Sequence, residues 1–168
     1  MGDLHAGVVH FDEDLFWATV TEIKNDKNAY WLGMGDYADC VTPSDFKRWD
    51  GKILADWMKG NEDNIGPTQL EKVNKLLSPI WDKCLGLIEG NHEESIRRYN
   101  HYDFMKELLK KANEKADVPY GGVSCFVRLS FIRGGQRGSI KQYLIHARHG
   151  EGSARTSGAR ALAVLRLS

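Results

Sequence analysis

Four short motifs in a fixed order carry the chemistry open to this chain: Asp3-Leu4-His5, Gly35-Asp36-Tyr37-Ala38-Asp39, Gly90-Asn91-His92-Glu93 and His149-Gly150. Carboxylates, imidazoles and a carboxamide are ligand types suited to divalent cations such as manganese, iron and zinc. The first three motifs read as standing just after, or in place of, the C-terminal end of a strand, and the fourth just beyond one. Open α/β sheets place their ligand sites at such ends. Two cations about 3.5–4 Å apart are a recurring device for hydrolysing phosphate esters. The residue types therefore point to a metal-dependent phosphoesterase. The motifs differ in weight: on average residue usage Gly-Asp occurs by chance in about half of chains this long, and Gly-Asn-His-Glu in only about one in a thousand.

The elements that must position these motifs are legible from periodicity and end signals. Asp12 to about Lys27 reads as a helix with Phe16, Val20 and Ile23 on one face, and Asp12, Glu13 and Asp14 suit its positive end. Ala29 to Met34 is a short apolar run, a buried strand ending in Gly35-Asp36. Thr42-Pro43-Ser44-Asp45 has the form of a helix start, with a capping hydroxyl followed by Pro. Thr68-Gln69-Leu70-Glu71 has capping-box spacing and opens a helix carrying Leu70, Val73, Leu77, Ile80, Trp81 and Leu85, bent at Pro79. Leu85 to Glu89 is a second buried strand, leading to Gly90-Asn91. Asp103 to about Ala116 is an amphipathic helix with Phe104, Leu108, Leu109 and Ala112 inward. Val123–Ile132 and Ile140–Ala147 read as an antiparallel hairpin across the Gly-rich turn 133–138. A last helix is expected from about Ala154 to Leu167.

The bulk composition fits one globular domain over residues 1–168, with 42% hydrophobic and 27% charged residues and no net charge. A zero balance gives no global signal for nucleic acid or membrane. The distribution is uneven, however. Residues 1–117 hold 15 Lys+Arg against 22 Asp+Glu, and residues 118–168 hold 8 against 1. An acidic metal-binding part facing a basic phosphate-binding part would look like this; so would a chain whose remaining sequence evens the balance. Cys40, Cys84 and Cys125 are isolated thiols, as expected of a reducing compartment. No leader-like or membrane-length apolar segment is present in the sequence given, and the expected location is cytoplasmic.

With these residues in place, the chain resembles the calcineurin-like metallophosphoesterases, in the form found in viruses and bacteria. That family's pattern is D-x-H, then G-D, then G-N-H-[D/E], then a His, then G-H-x-H, and the resemblance spans residues 3–150. His149-Gly150-Glu151-Gly152 followed by Arg155-Thr156 is similar to a Gly-rich turn of such members. The resemblance implies an α/β fold with a mixed β-sheet sandwich flanked by helices. It implies two divalent metal ions, with manganese the first choice and iron or zinc the alternatives. Asp3 and His5 would bind the first metal, Asp36 would bridge both, and Asn91 and His149 would bind the second. A metal-bridging hydroxide would attack the phosphate ester, His92 would act as general acid, and Asp39 would orient His92. Asn91 and Arg155 would contact the substrate.

The sequence departs from the family in two places. It lacks the G-H-x-H motif, so two His ligands are missing and a fragment is expected. Cys40-Val41 replaces the Arg-Gly of the protein serine/threonine phosphatases, which argues against that branch. His146 competes with His149 for the fourth position. Glu93 and Glu94 read as first-turn helix charges rather than ligands, and His10 and His101 as surface residues. The five tryptophans read as core packing. Arg148, Arg155 and Arg160 form either a phosphate-binding or a solvated basic face. Two further functions stay open: a nuclease or phosphodiesterase acting on nucleic acid, and a non-catalytic chain with an incomplete metal site.

Overall fold

In a computed structural model, the chain is described over residues 1–132, 134 and 139–150. The expected last helix, with Arg155 and Arg160, lies outside the described residues. The elements run α1 (Glu13–Asn25), β1 (Trp31–Gly33), α2 (Ile65–Leu77), β2 (Cys84–Leu87), α3 (Asn91–Asn100), α4 (Phe104–Asn113), β3 (Ser124–Ile132) and β4 (Ile140–Arg148). This is a mixed α/β structure with two small sheets, parallel β1–β2 and antiparallel β3–β4. Among the described residues, no helix is long and apolar enough to cross a membrane.

Local chemistry accounts for the helix ends. Asp12 caps α1 by accepting from Leu15 N at 2.9 Å, and Asp103 caps α4 by accepting from Lys106 N at 3.0 Å. The inward faces of α1, α2 and α4 meet over the parallel pair in one core containing Val20, Trp31, Leu77, Ile80, Trp81 and Leu108. Each large aliphatic side chain buried there contributes about 1.5–3 kcal/mol relative to exposure. Trp31 and Trp81 stack obliquely at 5.6 Å, and Trp31 Nε1 donates to the Ile80 carbonyl at 2.8 Å.

Three helix expectations are corrected. No helix starts at Thr42-Pro43; the chain makes separate turns there, such as Asp45 N to Thr42 O (2.9 Å) and Trp49 N to Asp45 O (2.8 Å). The Thr42 hydroxyl pairs with Ser44 and Asn100 rather than capping a helix, and no apolar stripe follows to bury one. The helix assigned to the Thr68 box begins at Ile65, so Thr68 lies inside its first turns; Pro67 is tolerated because an N–H has no partner in that turn anyway. At Pro79 the α-helix does not bend but ends, at Leu77, and a 3₁₀ segment Ser78–Lys83 carries the chain into β2.

The parallel pair is broadened on both sides by extended chain. The Met1 amino group donates to Leu32 O at 2.8 Å, and Ala6 bridges Ala38 in parallel sense. On the other side Leu87 N donates to Pro119 O at 2.9 Å and Gly121 N to Leu87 O at 2.8 Å. Residues 119–122 thus run beside β2 and lead into the hairpin β3–β4, which pairs from Ser124↔Arg148 to Ile132↔Ile140. Its apolar side chains, including Phe126, Phe131, Tyr143 and Leu144, are exposed, and Ala147 is its one buried residue among those described.

Candidate metal centre

Because β1 and β2 are parallel, the loop 35–40 and the Gly90 turn into α3 leave the sheet at one edge. The N-terminal segment is stitched to the first of them. Asp3 N donates to Gly35 O (3.0 Å), Leu4 N and His5 N both donate to Asp36 O (2.8 and 3.0 Å), and Asp39 N donates to Ala6 O (3.1 Å). Asp3, His5, Asp36 and Cys40 all take left-handed backbone conformations, with φ between 46° and 53°. Each costs about 1–2 kcal/mol for an L-residue. Such strain persists only where the surrounding bonds over-determine it, and it gathers at functional sites.

Two glycines let the loops touch. A Cβ on Gly90 would lie 2.1 Å from Asp36 Oδ1, and one on Gly35 would lie 2.5 Å from Gly90 N. Neither position has room for any other residue.

Glu93 is the hub beneath this contact: it stands in the first turn of α3, as expected, but is turned inward. Glu93 is 1% exposed. Its Oε1 accepts from Tyr37 N (2.7 Å) and Ala38 N (3.4 Å), and its Oε2 accepts from Asp36 N (2.9 Å) and Gly90 N (3.0 Å). Burial, and then the Asp36 carboxylate, push the Glu93 carboxyl up to about 6, against the opposite pull of these N–H groups. The legible signal was the spacing Gly90-x-x-Glu93, a capping-box third position. Gln69 was also missed: completely buried on α2, it accepts from Cys40 N at 2.8 Å and props the far end of the loop.

The candidate ligands meet above this hub. Asp36 is buried, and its Oδ1 accepts from His92 N at 3.0 Å. Asp36 Oδ2 lies 3.3 Å from His149 Nε2 and 3.7 Å from His5 Nε2. His149, just past β4, donates from Nδ1 to the Met34 carbonyl at 2.7 Å. With Nδ1 on that carbonyl, Nε2 is the ring nitrogen turned to the site, as in metal-binding imidazoles. It lies 3.1 Å from Asn91 Oδ1 and close to Asp36 Oδ2. With the imidazole neutral, these three atoms would offer lone pairs to one cation.

A second cluster adjoins the first. His92 Nδ1 is hydrogen-bonded to the main-chain carbonyl of Asp39 and lies 3.8 Å from its Oδ1; His5 Nδ1 lies 3.9 Å from the same carboxylate oxygen. The His5 and His92 rings meet edge to face at 4.5 Å. Ligand atoms of Asp3, His5 and Asp36 lie within 4.8 Å of one another, as do those of His5, Asp39 and His92.

Asp3, His5, Asp36, Asp39, Asn91, His92 and His149 therefore share one site. His146 does not: it lies on the hairpin surface, 2.9 Å from the Ser124 hydroxyl and stacked on Phe126. His10 and His101 are exposed. Arg155 lies outside the described residues. Compared with protein-family models, with curated proteins and with solved structures, the chain matches none of them.

Proposed function

We infer that this chain hydrolyses phosphate esters with two divalent cations, manganese first, as a calcineurin-like metallophosphoesterase whose two small sheets would belong to that family's sandwich. The observation that carries the reading is the convergence of His149 Nε2 with the oxygens of Asp36 and Asn91, the ring being oriented by the Met34 carbonyl on its Nδ1. Asp3, His5 and Asp36 would hold one cation, and Asp36, Asn91 and His149 the other. Bound there, the pair would polarise the phosphoryl oxygens and bring a water toward ionisation near neutral pH.

The chain's own groups supply the rest. Asn91 offers an oxygen without adding charge beside Asp36 and Glu93. His92 keeps Nδ1 on the Asp39 carbonyl, so Nε2 is the nitrogen able to pass a proton to the leaving oxygen. The Asp39 carboxylate lies 3.8 Å from the same ring nitrogen and would help orient the ring.

The test is hydrolysis of a chromogenic phosphodiester and the matching monoester by the whole chain. Activity should vanish with chelator and return with manganese, and the diester/monoester ratio separates a nuclease-like enzyme from a phosphatase. No turnover with manganese, iron or zinc, together with no cation binding, would sink the reading.

One observation favours a second arrangement, the mutual proximity of His5, Asp39 and His92, in which His92 is a ligand. His92→Asn decides between them. As a general acid, its loss should slow turnover roughly 10²–10⁴-fold with cation stoichiometry unchanged by calorimetry. Release of a cation would make it a ligand instead.

A further inference from the structure

A single exposed aromatic needs no explanation, but two on the wall of one groove beside a candidate phosphate site do. Phe46 is 83% exposed and Tyr99 66% exposed. Both line a groove of about 760 Å³ with Lys47, Arg48, Ser95 and Asn91, within the roughly 300–1,000 Å³ of small-ligand clefts. Asn91 joins this groove to the metal centre, since its Oδ1 lies 3.1 Å from His149 Nε2.

The groove wall is fixed rather than waving in solvent. Arg48 Nε lies 2.5 Å from Asp45 Oδ2, and its Nη2 donates to the Ser95 hydroxyl on α3 at 2.6 Å. These contacts use part of a five-donor guanidinium. Lys47 adds positive charge, and the Arg98 guanidinium stands 5.6 Å from the Tyr99 ring centre. Flat apolar rings beside held cations, opening onto a phosphate site, suit a base attached to a phosphate: stacking takes the base and the guanidinium takes the anion. A small phosphomonoester without a ring would leave both aromatics unused.

We propose that this groove binds the nucleobase and adjoining phosphate of a nucleotidyl phosphate ester and leads the ester to Asn91 and His92, a proposal that rests on the phosphoesterase reading. Phe46 and Tyr99 stack the base, and Arg48 holds the neighbouring phosphate.

The experiment measures binding of a fluorescent oligothymidylate octamer to the whole chain by anisotropy, with chelator present so that the probe stays intact. Phe46→Ala and Tyr99→Ala should each weaken binding about tenfold, within the range a stacked base contributes. Phe46→Trp should restore it. Tyr30→Ala, an exposed aromatic outside the groove, should change nothing. An abasic octamer should bind the unaltered chain about as weakly as the octamer binds the Ala variants. Competition by thymidine monophosphate distinguishes the ligand's source: equal potency indicates free nucleotides, and a steeply salt-dependent preference for the octamer indicates single strands. The proposal is overturned if the unaltered chain does not bind the octamer, if both Ala variants bind it normally, or if the abasic octamer binds as tightly. Failure of the phosphoesterase reading would show elsewhere, as absent metal-dependent hydrolysis of the base-free diester by the unaltered chain.

Discussion

Asp36→Asn should give a protein that folds as well as the unaltered chain, or better, and binds neither cation. The carboxylate sits buried where the two candidate ligand sets overlap, 3.3 Å from His149 Nε2 and 3.7 Å from His5 Nε2. Asparagine keeps an oxygen to accept from His92 N, and it is among the few non-glycine residues at ease at the φ of 53° found here. What it removes is charge. Hydrolysis should fall by more than the roughly 10–100-fold typical of losing a contact that only supports a metal ligand. Stability without metal should hold or rise slightly, because the Asp36 charge is the second cause, after burial, of the raised Glu93 carboxyl. Calorimetric titration with manganese and a thermal melt in chelator measure both. Retained binding of two cations would remove Asp36 from its bridging role, and a lower melting temperature would contradict the electrostatic account.

Glu93→Gln should do the reverse: no candidate ligand is touched, yet the protein should lose stability and the site with it. The four N–H groups of Asp36, Tyr37, Ala38 and Gly90 all point at this one carboxylate. An amide keeps one oxygen and turns an NH₂ toward two of those donors. Leaving a buried donor unsatisfied costs about 1–3 kcal/mol, so a loss of about 2–3 kcal/mol is expected. In a chain of this size that is a fall of roughly 5–10 °C in melting temperature. Manganese affinity should drop in parallel, because the loop bearing Asp36 loses the anchor that holds it against Gly90. A melting temperature within a degree of the unaltered chain would mean that the four bonds contribute nothing.

The contrast between these two acids shows what the sequence could and could not disclose. Asp36 was legible because Gly-Asp stood at the end of an apolar run in the company of other ligand types. Glu93 was not, because its burial depends on segments meeting across the parallel pair, with Glu93 bonded to N–H groups 55 or more residues away in the chain. Helix α1 was readable from its acidic start and apolar stripe, α4 from its stripe, and β3 and β4 from their runs around a Gly-rich turn. The helix start at 42–45 was misread because these Thr-Pro and Asp signals serve isolated turns, where side-chain bonding rather than apolar periodicity sets the path. Phe46 drew no notice for the same reason, since a lone aromatic in an irregular segment has no pattern. His149 was preferred over His146 because His146 falls inside a strand run, and the structure separates them by the Met34 carbonyl that one reaches and the Ser124 hydroxyl that the other takes.

The hairpin that delivers His149 has few buried side chains of its own, and a two-stranded ribbon is at best marginally stable alone. On the phosphoesterase reading, this sparsely buried hairpin carries a ligand to the candidate metal centre. Cation affinity then includes the work of closing the hairpin onto the sheet, and occupancy of the second position becomes a fastening for β4. Such a centre would lose its second cation by the hairpin swinging away rather than by ligands letting go one at a time, and exchange of that cation would keep pace with hydrogen exchange in β4.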